Sequence, residues 1–227
     1  MCGISCVVCV HCDRKEPIPT CQTLSDSIIP ALSRRGPDYI KHADIPFGSE
    51  EEKTSHLLFT ACTLRMRGPP LVESAQAQPL INADGQAFTW NGEIFGGIDV
   101  AERECDTTVL FAALTACRPD DDVLSCLKLI KGPFSFVYFD ALTQSLWFGR
   151  DFFGRRSLLW SILSDDEGAQ KMVLSSVADV GSDGAKGEDG SEEEGLAWQE
   201  VPAKGIFKLD LRSLARFRLN FVSLVGV

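Results

Sequence analysis

The run at residues 4–10, ISCVVCV, lies almost at the amino terminus. A short apolar stretch rich in β-branched residues, bounded by polar residues from His11 onward, reads as a buried strand. A chain that enters its core at the fourth residue must pin its terminus against the fold, so Met1, Cys2 and Gly3 cannot trail freely in solvent. The remaining sequence must then supply sheet partners for this strand and helices to cover the sheet.

Such partners are legible downstream. Residues 22–32 place Leu24, Ile28, Ile29 and Leu32 on one helical face, with Pro30 expected to kink or shorten the helix before Arg34-Arg35-Gly36-Pro37-Asp38 ends it. Residues 57–63 read as a strand, and residues 87–90 as a short strand breaking at Asn91-Gly92, a pair that favours a turn with positive φ. Asp106 or Thr107 is expected to cap a helix burying Val109, Leu110, Ala113, Leu114 and Cys117, and a second helix spans residues 121–131. The period then changes to that of strands. Residues 134–139 and 146–148 form a hairpin turning near Thr143-Gln144, and 157–163, 172–174 and 206–211 follow as strands. Residues 181–195 are Gly, Ser, Asp and Glu with almost no apolar side chain, too few to offset their ordering entropy, and are expected as a disordered acidic loop.

Charge and length narrow the class of function. A formal net charge of −10 over 227 residues disfavours nucleic acid and anionic membrane as partners. The longest apolar runs fall far short of the roughly 18 residues of a membrane span. No basic region followed by an apolar core opens the chain, so a cytoplasmic location is expected. There the nine cysteines, at 2, 6, 9, 12, 21, 62, 105, 117 and 126, are expected as thiols serving packing, ligation or nucleophilic attack. Cys6, Cys9, Cys12 and His11 invite a metal reading. On a strand, however, Cys6 and Cys9 point to opposite faces, and no second Cys-x-x-Cys completes a tetrad, so buried packing thiols fit better.

Cys2 is different in kind. Removal of Met1, the normal fate of an initiator before a small residue, leaves Cys2 holding both a thiol and a free α-amine. An α-amine titrates near 7.7–8.0 and can take the thiol proton at neutral pH, so one residue supplies nucleophile and base without a catalytic histidine. Attack on an amide also needs donors aimed at the developing oxyanion, which the Asn91 side chain and the Gly92 N–H can provide. A zwitterionic substrate further needs acids for its ammonium and an arginine fork for its carboxylate.

Met1-Cys2-Gly3-Ile4, Arg35-Gly36-Pro37-Asp38, Trp90-Asn91-Gly92-Glu93-Ile94-Phe95, Cys105-Asp106-Thr107 and Gly149-Arg150-Asp151-Phe152-Phe153-Gly154 occur in the order found in class II glutamine amidotransferase domains. The set resembles the amino-terminal half of an asparagine synthetase. The resemblance implies an α/β fold, a four-layer αββα sandwich of the N-terminal-nucleophile hydrolase type, over residues 2–211, with 212–227 as an atypical tail and the synthetase domain absent. It also implies Cys2 as nucleophile and base, Asn91 and Gly92 as oxyanion hole, and Glu93 and Asp106 as the holders of the substrate ammonium. Arg67, rather than Arg65, is expected to bind the substrate carboxylate, and Arg150 with Asp151 to support the site. Thr108 and Ser157 depart from the family pattern, which usually has Glu and Pro there.

The implied reaction turns glutamine and water into glutamate and ammonia through a Cys2 thioester, with no cofactor and no metal. In longer relatives the ammonia serves asparagine biosynthesis in an ATP-pyrophosphatase synthetase domain supplied by the full-length protein. The rival expectation is a catalytically silent module that binds glutamine on the same fold.

Overall fold

The strand expected at the amino terminus is present as β1, Gly3–Cys9, and is buried along its whole length. The structure, a computed structural model, describes residues 1–10, 21–48, 55–65, 77–117, 120–164, 170–178, 196–213 and 220–222. The expected acidic loop at 181–195, Arg67, His11 and Cys12 lie outside the described residues.

Among the described residues, two six-stranded antiparallel sheets make up the fold. The first contains β1, β2 (Tyr39–Phe47), β3 (Ser55–Thr63), β8 (Leu159–Ser164), β9 (Gln170–Ser175) and β10 (Gln199–Glu200), in the order β10-β8-β9-β1-β3-β2. The second contains β4 (Leu80–Ile81), β5 (Ala87–Gly92), β6 (Phe134–Asp140), β7 (Ser145–Arg150), β11 (Ile206–Asp210) and β12 (Asn220–Val222), in the order β12-β11-β7-β6-β5-β4. β12, inside the segment expected as an atypical tail, pairs with β11.

Strand alternation turns these sheets into layers. Ile4, Cys6 and Val8 of β1 face Ala87 of β5 and Val137 and Phe139 of β6 across an inter-sheet core. Val7 and Cys9 point the other way, onto Leu24, Ile28 and Leu32 of helix α1, Cys21–Ser33. Phe88 and Trp90 of β5, with Phe134, Phe136 and Tyr138 of β6, pack on helices α2, Asp106–Ala116, and α3, Asp120–Leu129. The layers therefore run helix, sheet, sheet, helix, the expected αββα sandwich. Among the described residues no helix is long and apolar enough to cross a membrane.

Several local expectations need correction. Pro30 does not shorten α1, which continues to Ser33. Its ring and Asp26, whose carbonyl loses the helical bond, are both on the exposed side, where water can substitute. Asn91 and Gly92 do not form a turn: they are the last residues of β5, in register with Ser135 and Phe134, and Gly92 is absent from the positive-φ glycines. Cross-strand pairing overrides the local turn preference. α2 is capped by Cys105, without a side-chain cap bond, because the Asp106 carboxylate turns to the backbone N–H groups of Ile94 and Thr107. Cys6 and Cys9 do lie on opposite faces, yet Cys9 is disulfide-bonded rather than a packing thiol. β2 was not expected: its exposed alternation and Pro46 suit an edge strand, which leaves no apolar signature.

Candidate active site

The register of β1 sets the position of Cys2. Ile4 donates its N–H to Ser176 Oγ at 3.0 Å, and its carbonyl accepts the Ser176 N–H at 2.8 Å. Ser157, where the family usually has Pro, donates its hydroxyl to the Ser176 carbonyl at 2.6 Å and braces the same point. Gly3 passes so close to α1 that a Cβ there would sit 2.6 Å from the Leu32 carbonyl oxygen. Two residues before the clamp, Cys2 packs against the inter-sheet core and donates its thiol to the Leu64 carbonyl at 3.6 Å. Burial raises this thiol above its ordinary value, against the lowering effect of the Met1 ammonium; nearby Cys105 and Asp106 raise it further.

β5 meets Cys2 from the other sheet. Ala87, Thr89 and Asn91 share the face turned toward the inter-sheet core. The Asn91 side chain is buried there, and neither Nδ2 nor Oδ1 has a hydrogen-bond partner. An amide left so costs about 1–3 kcal/mol, an expense that folded proteins rarely carry without a ligand to complete it. The Trp90 N–H points to the opposite edge of β5 from β6 and is taken by Gln78 Oε1 at 2.5 Å. The two-residue period directs the Gly92 N–H to that same edge, while the backbone of its cross-strand partner Phe134 is engaged with Asp151. Gly92 cannot be replaced freely, because a Cβ there would lie 2.6 Å from the Pro133 oxygen and 2.8 Å from Phe134 Cβ. Gln78 closes the geometry, since its Nε2 reaches Cys2 Sγ at 3.9 Å and so brings the thiol beside the Trp90-Asn91-Gly92 segment.

The acids expected around the substrate ammonium lie just beyond. Asp106 is buried, accepts the Ile94 N–H at 3.2 Å and acts electrostatically on Cys2. Glu93 is partly exposed and forms an ion pair with Arg156 at 3.5 Å. Arg65 is exposed and donates its backbone N–H to Asp38 Oδ2 at 2.8 Å. Below them, Asp151 accepts the N–H groups of Phe134, Phe153 and Arg155, and the guanidinium of Arg155 as well. Arg150 donates to the carbonyls of Gly154 and Val201, so the Arg-Asp pair ties residues 151–155 to the ends of β6 and β7.

Two residues of this region were not singled out in the sequence. Gln78 sits in a polar run with no periodicity, and only the preceding position to Pro79 marks it. Arg156 stands in Gly149 to Trp160, beside the Arg-Asp pair, but nothing local announces its pairing with Glu93, 63 positions earlier in the chain.

Comparison with known proteins identifies the family and the fold. Residues 67–179 match the family described as glutamine amidotransferase domain. The chain is 38% identical to asparagine synthetase domain-containing protein 1 of Bos taurus over 215 residues, which cover 94% of this chain and 29% of that protein. Its counterpart in Gallus gallus is 39% identical over 95% of this chain and 30% of that protein. The chain thus spans less than a third of these curated relatives. Among solved structures, a glutamine phosphoribosylpyrophosphate amidotransferase from B. subtilis, complexed with ADP and GMP, superposes with a TM-score of 0.59 at 15% identity, over 98% of this chain and 49% of that one. That likeness establishes the fold.

Proposed function

Because this chain belongs to the class II glutamine amidotransferase family, with relatives of the asparagine synthetase type, we propose that it hydrolyses glutamine to glutamate and ammonia through a thioester on Cys2. Removal of Met1 frees the Cys2 α-amine, which takes the thiol proton directly or through water. The sulfur attacks the side-chain amide carbon of glutamine, and the oxygen becomes an oxyanion received by Asn91 Nδ2 and the Gly92 N–H. The α-ammonium returns the proton to the departing nitrogen, ammonia leaves, and a γ-glutamyl thioester remains. Water, deprotonated by the same amine, attacks the thioester and releases glutamate with the thiol restored.

Glu93 and Asp106 hold the substrate ammonium, and Arg67 holds its carboxylate. Glu93 exchanges its Arg156 partner, or shares it, when substrate enters. The observation that carries the reading is the buried Asn91 amide with both atoms unpartnered. Residues 2–211 act as the amidotransferase unit, and in a longer protein of the relatives' size the ammonia passes to a synthetase domain.

One feature favours the rival, a silent glutamine-binding module: with Met1 in place, burial raises the Cys2 thiol above its ordinary value and disfavours the anion. Glutamate release by the purified chain, with Met1 shown absent by mass spectrometry, separates the two. The proposal requires release by the parent and none by Cys2→Ala or by a chain that keeps Met1. Glutamine binding without release, in a folded parent, establishes the rival.

A further inference from the structure

The buried Gln78 side chain spans the two sheets and touches the nucleophile, and no motif accounts for it. Its carbonyl oxygen accepts the Trp90 N–H at 2.5 Å. An N–H cannot be accepted by an amide NH₂, so this bond fixes which way round the amide sits and aims Nε2 at Cys2 Sγ, 3.9 Å away. The backbone on both sides is held in turn. Lys41 of β2 donates its ammonium to the carbonyl of Ala77 at 3.3 Å and to that of Pro79 at 3.1 Å. Gln78 is therefore oriented by three hydrogen bonds, none of which involves substrate.

We infer that Gln78 is a positioning residue for the nucleophile: clamped by Trp90 and Lys41, it donates an N–H to the Cys2 sulfur and so holds the anionic sulfur beside the Asn91-Gly92 donors. The inference rests on the reading of Cys2 as nucleophile. Among the described residues the sulfur has one acceptor neighbour, the Leu64 carbonyl, and one donor neighbour, Gln78. Loss of the thiol proton breaks the first contact and strengthens the second, since an N–H bond to an anion is stronger than one to a neutral thiol. The other groups acting on the sulfur are the terminal ammonium, Cys105 and Asp106 at the start of α2, and Cys62 of β3. Of these only the Met1 ammonium favours the anion, and once Met1 is removed that charge sits on the Cys2 α-amine, which must also serve as base. A neutral donor that never titrates supplies support at every stage of the reaction. A purely structural role for Gln78 needs only the Trp90 bond and leaves the direction of Nε2 without consequence.

The test measures the pH dependence of Cys2 alkylation by iodoacetamide, read by peptide mapping in Met1-free protein, for the parent, Gln78→Met and Gln78→Glu. Gln78→Glu keeps the acceptor for the Trp90 N–H and replaces the donor with a carboxylate. The midpoint is expected to rise by about one pH unit in Gln78→Met and by more in Gln78→Glu, the equivalent of one lost charge-assisted bond. Glutamate release should fall about 10- to 100-fold through kcat, with KM nearly unchanged. Midpoints that coincide with the parent's in both folded variants overturn the inference. Should neither variant fold, Lys41→Met loosens the clamp without touching the amide: a raised midpoint supports the inference and an unchanged one overturns it. Alkylation needs no glutamine, so a parent that releases no glutamate refutes the proposed hydrolysis while the midpoint comparison still decides the role of Gln78.

Discussion

Asn91→Leu should make the protein more stable and, at the same time, inactive. Asn91 is only 1% exposed, and both polar atoms of its side chain lack partners. A buried amide in that condition costs about 1–3 kcal/mol, and leucine replaces it with an apolar group of the same branching, which removes that cost. For a chain of this length each kcal/mol moves Tm by about 2–4 °C, so the gain should be roughly 2–12 °C. Loss of one oxyanion donor should lower kcat about 10²–10³-fold. A thermal melt and a glutamate-release assay on the same preparation measure both. A lower Tm would show that the amide is structurally satisfied and the site argument from its isolation is wrong; retained turnover would show that it does not receive the oxyanion.

Other expectations follow from the same geometry. Gly92→Ala puts a Cβ 2.6 Å from the Pro133 oxygen and should cost about 1–3 kcal/mol, seen as a lower denaturation midpoint, whereas Gly85→Ala, whose Cβ would have no neighbour nearer than 3.7 Å, meets only the strain of its positive φ. Glu93→Gln should raise KM for glutamine about tenfold with little change in kcat, since it weakens binding of the ammonium away from the reacting amide; steady-state kinetics with an unchanged KM would remove Glu93 from the site. Burial, with Cys117 adding, raises the Cys126 thiol from 9.0 to about 11, so the unfolded chain loses this proton first and stability falls as pH climbs from about 9 to about 11. Cys126→Ala should flatten that part of a Tm-against-pH curve, and an unaltered slope would contradict the assignment.

What could be read from the sequence depended on whether the cause was local. The β1 run and the β6-β7 hairpin follow from periodicity, because burial on one face writes itself into neighbouring residues, whereas on α2 periodicity found Leu110 and Leu114 but missed Phe111 and put half-buried Val109, Ala113 and Cys117 on the buried face. The candidate site was readable for a different reason: a thiol at position 2 and an amide beside a glycine are residue types that the proposed chemistry demands, and the two acids were placed by the resemblance of their motifs to the family. β2 escaped because an edge strand with Pro46 and alternate exposed positions buries little. The Asn91-Gly92 pair was misread as a turn because its conformation is set by Ser135 and Phe134, far along the chain. The Arg156–Glu93 pair and the Gln78 bridge likewise depend on contacts between distant segments, which no local pattern records.

The most direct measurement of the central claim is covalent trapping: Met1-free protein is mixed with glutamine, quenched in acid within the turnover time, and its amino-terminal peptide examined by mass spectrometry. The account predicts a γ-glutamyl thioester on Cys2, discharged by hydroxylamine and missing from Cys2→Ala. Glutamate release that continues while Cys2 stays unmodified, or that survives Cys2→Ala, would contradict it.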